Sequence, residues 1–214
     1  MTREMRYKSR VIVYVDGFNL YYGIKEKWNN RYLWLDLMRL SESLLKDSQE
    51  LEAVKYFTSR VSQRPGNWGK WKRQNTYLEA LEAVGDITFY YGHYVVKSVI
   101  CRRCGADWYG AEEKKTDVTI AVELLCDAQD DRFDTAIVIS GDSDLTPPIK
   151  AVIARHPQKR VIVSFPPGRH SNELSTVSTS AFTIRESRFR KSRLPLEISK
   201  HDGDILRCPK RWRN

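Results

Sequence analysis

Three short runs of β-branched and aliphatic residues constrain the fold of this chain more than any other feature of its sequence. They are VIVYV at 11–15, TAIVIS at 135–140 and RVIVSF at 160–165. Apolar runs without polar alternation are typical of strands that are buried on both faces, as in parallel sheets covered by helices. Because helical patterns separate these runs, the sequence predicts an α/β fold: a Rossmann-like three-layer α/β/α sandwich with a mostly parallel central sheet.

The segments between these runs supply the other elements. Further strands are predicted at 51–61 and at 86–100, the second of them broken at Gly92. Apolar residues at helical spacing predict helices at 20–27, 34–46, 68–84, 114–127, 145–155 and 172–177.

Three local details follow from the same patterns. Gly85 is expected to end the long helix as a C-cap. In the helix at 114–127, one face carries Val118, Ala121, Val122 and Leu125, and we expect this face to pack on the core. The polar segment at 106–113 is expected to be a loop.

The charge of the chain is unevenly distributed. The net charge is +9, and residues 185–214 alone contain ten basic and four acidic side chains. A basic chain with a basic tail suits a polyanion, with nucleic acid the first choice and a membrane surface the second. No apolar run approaches the roughly 18 to 20 residues that cross a bilayer, and the charged start MTREMRYKSR is unlike a secretory signal. We therefore expect a cytoplasmic protein that has no membrane partner, with one domain at 1–185 and a basic tail at 186–214 that packs back on it.

Four aspartates occur where predicted strands end or helices begin. Asp16 follows the first run, Asp142 and Asp144 follow the second, and Asp117 lies in the first turn of the helix that precedes the second run. Ligands of such sheets bind at the carboxyl ends of the strands, so the four carboxylates are predicted to converge there. Like charges in one cleft repel, and a divalent cation relieves that repulsion. Carboxylate oxygens suit Mg²⁺ or Mn²⁺.

Each of these aspartates also has a purely structural interpretation. Asp117 would favour the macrodipole of its helix, and Asp144 could be the N-cap of the helix that contains Pro147 and Pro148. Asp16 before Gly17 could belong to a turn. The choice of Asp at all of these positions favours a shared site.

The sequence Cys101-Arg-Arg-Cys104-Gly105 is half of a zinc knuckle, within a predicted insertion near 101–110. A complete structural zinc site needs four ligands, and the chain has no second CxxC. Cys126 is expected to lie in the core, and Cys208 reaches the pair only if the tail folds back. The knuckle is therefore either a Zn²⁺ site or a pair of thiols that can form a reversible disulfide.

Two basic stretches could hold a nucleic acid. The first, RVSQRPGNWGKWKR at 60–73, interleaves basic side chains with Trp68 and Trp71, which suits phosphates and stacked bases. Its alternative is a solvated helix face with one buried tryptophan. The second, RESRFRKSR at 185–193, is either an RNA clamp or a charged edge, and Phe182 and Ile184 before it are expected to pack. The candidate contacts are Arg60, Lys70, Lys72, Arg73, Arg190 and Lys191.

Three longer motifs carry a resemblance to a known family. YVDGFNLYYGI at 14–24, EEKKTDVTIAVELLCDA at 112–128 and FDTAIVISGDSDLTPPI at 133–149 resemble those of NYN domain proteins, in the LabA-like branch of the PIN-like nuclease superfamily. The segments KYFTSRV, RQNTYLEAL and LPLEISKHDGDILRCPKRW agree with this resemblance, which covers nearly the whole chain. Phe18 departs from many relatives, which place Asn or another residue there.

The resemblance implies a PIN-like fold, an acidic cluster that binds Mg²⁺ or Mn²⁺, and cleavage of RNA. By motif, the cluster consists of Asp16, Asp117, Asp142 and Asp144. Asn19 would orient a water molecule or a phosphate oxygen, and Ser140 and Ser143 would hydrogen-bond the carboxylates or the substrate phosphate.

The leading functional hypothesis is a metal-dependent endoribonuclease. The alternative is a non-catalytic RNA-binding or regulatory adaptor with the same fold. A phosphatase of the haloacid dehalogenase type is disfavoured, because it needs an acid two residues after Asp16 and the chain has Phe18. The sequence does not define the oligomeric state and leaves a homodimer open.

Overall fold

The computed structural model describes residues 8–63, 66–100, 103–200 and 202–213. The helices are α1 (Gly17–Trp28), α2 (Leu37–Leu44), α3 (Trp68–Val84), α4 (Thr116–Gln129), α5 (Thr146–Arg155), α6 (Asn172–Val177) and α7 (Glu186–Lys191). The strands are β1 (Ser9–Asp16), β2 (Gln49–Ser59), β3 (Ile87–Ile100), β4 (Asp107–Lys114), β5 (Thr135–Ile139), β6 (Arg160–Phe165), β7 (Ser180–Thr183), β8 (Glu197–Ser199) and β9 (Ile205–Arg207).

The central sheet has seven strands in the order β4-β3-β2-β1-β5-β6-β7 over the residues that the structure describes. Six strands are parallel, and β4 joins the edge antiparallel to β3. The strand order reverses at β1, between β2 and β5, which is where α/β sheets place their ligands. The predicted α/β sandwich with a mostly parallel sheet is confirmed.

Helices cover both faces of the sheet, and the alternation along β1 divides the core in two. Val11, Val13 and Val15 pack with residues of α1, α2 and α3. Ile12 and Tyr14 point to the opposite face and pack with residues of α4 and α5. All five are buried, which explains why this segment reads as an unbroken apolar run.

The strand that was predicted to break at Gly92 is continuous. Gly92 ends the parallel pairing of β3 with β2, and from His93 onward β3 pairs with β4 instead. The predicted loop at 106–113 is wrong, because these residues fall almost entirely within β4. The sequence of this segment is polar and lacks the apolar pattern by which strands are recognised, although it forms a strand at the edge of the sheet.

The predicted core face of α4 is also wrong. Val118, Val122 and Leu125 are exposed, and the helix packs through Ile120 and Leu124 instead. The sequence of α4 carries apolar residues on two faces, so periodicity alone did not distinguish them. The same rotation leaves Cys126 exposed rather than in the core.

Two smaller expectations concern single residues. Helix α3 has the predicted bounds and ends at Gly85 as its C-cap, as expected; Gly85 is extended, and the space beside it is occupied by the Met38 side chain. Phe182 is exposed, whereas Ile184 is buried as expected.

The last thirty residues contribute to the core of the α1–α3 face. Phe189, Leu194, Ile198, Cys208 and Trp212 are buried there. The indole nitrogen of Trp34 donates to the carbonyl of Pro195. Within the described ranges, no helix combines the length and the apolar content that a bilayer crossing requires.

Candidate functional site

The turn after β5 presents two of the predicted carboxylates. Ser140 and Gly141 lead into a 3₁₀ turn, Ser143–Leu145, whose N-cap is Asp142. The Asp142 carboxylate accepts a hydrogen bond from the backbone nitrogen of Asp144 at 3.1 Å, and the Ser140 hydroxyl accepts one from that of Asp142 at 3.0 Å. Asp144 itself is not the N-cap of α5, since that position is Leu145.

Asp16 caps helix α1 at the neighbouring strand end. Its Oδ1 accepts hydrogen bonds from the backbone nitrogens of Phe18 and Asn19 at 3.1 and 3.0 Å. Its Oδ2 accepts from the Asn19 amide at 2.9 Å and from the Ser140 hydroxyl at 2.7 Å. The structural interpretation of Asp16 is therefore satisfied in full, and the carboxylate is buried.

Asn19 and Ser140 fix the β1 and β5 turns to each other. The Asn19 side chain donates to Asp16, and its carbonyl oxygen accepts from the backbone nitrogen of Gly141 at 3.1 Å. The buried Ser140 hydroxyl links the same two turns. These bonds hold Asp142 and Asp144 at a fixed distance from the end of β1.

Two glycines permit the close approaches on which the site depends. A Cβ at Gly17 would lie 2.7 Å from the carbonyl oxygen of Phe57, so the first turn of α1 packs directly on β2. A Cβ at Gly141 would clash with the carbonyl oxygen of Arg169. Neither backbone oxygen can move aside easily, so a side chain at either position would shift the site.

Asp117, from helix α4, completes a cluster with Asp142 and Asp144. It lies in the first turn of α4, which follows β4 through Lys115 in the left-handed conformation. Ligand oxygens of Asp117, Asp142 and Asp144 all lie within 4.8 Å of one another. None of the described lysines, arginines or histidines forms an ion pair with these three carboxylates. The structure thus brings together three of the four predicted aspartates, with Asp16 adjacent to them.

The electrostatics of the cluster show the cost of this arrangement. Burial, followed by the charges of Asp16, Asp142 and Asp144, raises the pKa of Asp117 to about 6. Burial also raises the pKa of Asp16, with a smaller contribution from Asp142, although the bonds from Asn19 and Ser140 act in the opposite direction. Carboxylates that repel one another, with no basic side chain paired to them, favour the binding of a cation.

The first basic stretch lies partly beside this edge of the sheet. Arg60 directly follows β2, donates to the Tyr91 hydroxyl at 3.2 Å and stacks over that ring. Lys70 and Arg73 of α3 line a cavity, described below, whereas Lys72 is exposed and does not line it. Trp68 is exposed, and its ring lies tilted against that of the half-buried Trp71, with the centroids 5.0 Å apart.

The tail candidates occupy a different position. Arg190 and Lys191 are exposed on α7, which packs on α2. The first residue of this helix, Glu186, accepts a hydrogen bond from the Tyr32 hydroxyl. Among the described residues, α7 forms no hydrogen bond or ion pair with the carboxylates of the cluster.

The described cysteines differ in their exposure to solvent. Cys101 lies outside the described residues, so the predicted zinc pair stays a prediction. Cys104 is exposed, whereas Cys208 is buried and donates weakly to the carbonyl of Pro209. Burial raises the pKa of the Cys208 thiol to about 11, so this thiol is protonated at neutral pH.

Sequence reasoning did not identify a buried ionic network beneath α4. Lys55 of β2 contacts Asp127 at 2.6 Å and Glu123 at 2.7 Å. The Tyr14 hydroxyl donates to Asp127, and the Tyr90 hydroxyl donates to Glu123. The available signal was a single lysine within the apolar pattern of a strand. The network fixes the helix that carries Asp117.

Comparisons with known proteins indicate a family and a fold. The family model described as "NYN domain" matches residues 10–185. The chain is 26% identical over 200 residues to 6-hydroxy-3-succinoylpyridine 3-monooxygenase of Pseudomonas putida. The matched region covers 78% of this chain and 62% of that protein. The chain thus spans about three fifths of that relative's length. It also resembles the crystal structure of a protein of unknown function from Vibrio parahaemolyticus, with a TM-score of 0.59 and 22% identity over 87% of this chain and 98% of that one.

Proposed function

Because this chain belongs to the NYN domain family of PIN-like nuclease-superfamily domains, we propose that it is a metal-dependent endoribonuclease that hydrolyses RNA phosphodiester bonds. The observation that carries the proposal is the cluster of Asp117, Asp142 and Asp144. It lies beside the carboxyl end of β1, where the strand order of the sheet reverses.

The donor set of the cluster fits a hard divalent cation. Its three side chains offer carboxylate oxygens within 4.8 Å of one another, and Mg²⁺ and Mn²⁺ prefer such ligands. Asp117, Asp142 and Asp144 would hold the cation. Bound there, it would neutralise charge on a phosphate and lower the pKa of a water molecule.

The other residues of the site position this cluster and receive the substrate. Asp16, Asn19 and Ser140 act as positioning residues, because their hydrogen bonds join the two turns. Ser143 is exposed between two of the carboxylates, where its hydroxyl can donate to a phosphate oxygen. In-line attack of water on the phosphorus would break the bond to the 3′ oxygen and leave a 5′-phosphate and a 3′-hydroxyl.

The basic residues near the same edge supply the remaining positive charge. Arg60, Lys70 and Arg73 would hold phosphates on one side of the site. Lys72, Arg190 and Lys191 would contribute weaker contacts to a longer RNA. A cytoplasmic location is consistent with this function and stays a prediction, as does Zn²⁺ at Cys101 and Cys104.

A non-catalytic RNA-binding adaptor is the second candidate. The observation that favours it is the complete hydrogen bonding of the Asp16 carboxylate, which leaves three carboxylates rather than four for a cation. We do not propose for this chain the monooxygenase activity in the name of the Pseudomonas putida relative, because the carboxylate cluster supports a hydrolase instead.

Metal-dependent turnover separates these candidates. Structured and single-stranded RNAs would be incubated with the protein and Mn²⁺, Mg²⁺ or EDTA, and the product ends identified. We expect cleavage with either cation, none in EDTA, and loss of cleavage in Asp142→Asn. Asp47→Asn, which removes an exposed carboxylate in the turn before β2, is the matched control and should cleave normally. Equal activity in Asp142→Asn and wild type would contradict the proposal.

A further inference from the structure

A cavity of about 330 Å³ lies on the other side of the first turn of α1 from the carboxylate cluster. It extends between α1 and α3, from an exposed rim that includes Tyr22 and Lys70 to a buried floor that includes Leu20 and Leu35. This volume is at the lower end of the range for small-ligand sites. Among the described residues, six aromatic side chains line it: Phe18, Tyr21, Tyr22, Tyr56, Tyr77 and Trp212.

The rings are held in place by their own contacts. The Tyr77 hydroxyl donates to the carbonyl of Leu35 at 2.8 Å, and Trp212 packs edge-on against the Tyr77 ring. Tyr22 contacts both Phe18 and Tyr21, with ring centroids 5.9 and 5.2 Å away. A planar ligand would therefore meet preformed aromatic faces, which lowers the entropic cost of binding.

The charged side chains that line the cavity in the described part of the chain are all basic. Lys25, Lys70 and Arg73 contribute to its walls, and Lys25 lies over the rings of Tyr21 and Tyr22 at 5.7 and 5.4 Å. No aspartate or glutamate occurs among the described residues that line it. Aromatic faces beside cations are the combination that binds a base together with its phosphate.

The position of the cavity connects it to the cluster. Gly17 and Phe18 line the cavity and directly follow Asp16 in the sequence. Along β1, Asp16 falls on the same face of the sheet as Ile12 and Tyr14, which pack against α4. The cavity opens on the opposite face, among the residues that pack with Val11, Val13 and Val15. The N-terminus of α1 is thus the partition between the two, and an RNA strand that crosses it would reach both.

We propose that this cavity captures one base of the RNA, next to the bond that is cleaved, while Lys70 and Arg73 hold the adjoining phosphate. The inference rests on the proposed function for its substrate class. It assigns the aromatic cavity a role in selecting where along a single strand the cut is made. Since stacking accepts any base, the selection concerns an unpaired nucleotide rather than a sequence.

The test uses a fluorescent base so that binding is read separately from cleavage. Single-stranded oligonucleotides with 2-aminopurine at successive positions would be mixed with the full chain carrying Asp142→Asn, whose altered residue does not line the cavity. We expect quenching at one position. Tyr22→Ala should weaken binding about fivefold or more, because stacking on one aromatic contributes about 1 to 3 kcal/mol.

Matched variants separate the cavity from general surface effects. Tyr22→Phe keeps the ring and should retain the quenching, and Phe182→Ala, which removes an equally exposed ring on β7, should leave it unchanged. Lys70→Ala should reduce the salt slope of binding by about 0.7, because it removes one phosphate contact, whereas Lys27→Ala, on α1 outside the cavity, should not. Circular dichroism would verify that each variant is folded.

The outcomes distinguish the cavity from the nuclease. Quenching at all positions alike, or equal binding by Tyr22→Ala and Phe182→Ala, would overturn the base-capture role even if the wild type cleaves RNA. Benzoate, a small aromatic anion, serves as a probe of the cavity. If it binds there and the oligonucleotide does not compete with it, the base-capture role is overturned as well. Position-specific quenching that depends on Tyr22, in a protein whose wild type never cleaves, would support the cavity and refute the nuclease.

Discussion

Replacing Asp117 with Asn is expected to stabilise the metal-free protein. The pKa of this carboxyl rises from 3.8 to about 6 because it is partly buried and faces Asp16, Asp142 and Asp144. In the folded state it therefore binds a proton more tightly than in the unfolded state. Keeping it ionised above pH 6 lowers the free energy of unfolding, and Asn removes that cost.

The magnitude follows from the shift. Two pKa units correspond to about 3 kcal/mol at most, since one unit is about 1.4 kcal/mol. Asp117 is half-exposed, so solvent screening reduces the expected gain to about 1 kcal/mol. For a protein of this size, that gain raises the midpoint of thermal unfolding by about 2 to 4 °C.

The sign of the pH dependence is fixed by the direction of the shift. Between pH 3.8 and 6 the folded state binds more protons at Asp117 than the unfolded state does, so wild-type stability falls as the pH rises through this window. The advantage of Asp117→Asn should be small at pH 4 and complete at pH 7.5.

Thermal unfolding in EDTA at these two pH values is the assay, with Asp47→Asn as a control that removes a carboxylate outside the cluster. Addition of Mn²⁺ should raise the midpoint of the wild type but much less that of Asp117→Asn, because binding to the folded state stabilises it. A metal-free Asp117→Asn protein that is less stable than the wild type at pH 7.5 would refute the repulsion argument.

Three further perturbations test the structure around the cluster. Lys55→Met should destabilise the protein by about 3 kcal/mol in urea unfolding because Asp127 loses its buried partner, and combining it with Asp127→Leu should recover much of the loss. Gly141→Ala should cost about 1 to 3 kcal/mol and weaken Mn²⁺ binding, measured by calorimetry, because its Cβ meets the Arg169 carbonyl; unchanged affinity would show that the turn can relax. In the native protein a thiol reagent should modify Cys104 and Cys126 but reach Cys208 only after unfolding, and rapid labelling of Cys208 would contradict its burial.

The sequence by itself determined the α/β class, the parallel strands and the edge of the sheet where the aspartates collect. These inferences hold because strands buried on both faces need uninterrupted apolar runs, and because parallel strands end at a common edge. The bounds of α3 and the burial of β1, β5 and β6 follow from the same local patterns.

Only the tertiary structure decided which face of α4 is buried, since Val118 and Ile120 are equally apolar and the choice depends on what packs against the helix. It also decided that β4 is a strand, because an edge strand obtains its hydrogen bonds from β3 and needs no apolar run of its own. The three-carboxylate cluster and the aromatic cavity arise in the same way. Asp117 meets Asp142, and Tyr77 meets Trp212, only through packing between residues far apart in the chain, and no local pattern encodes such distances.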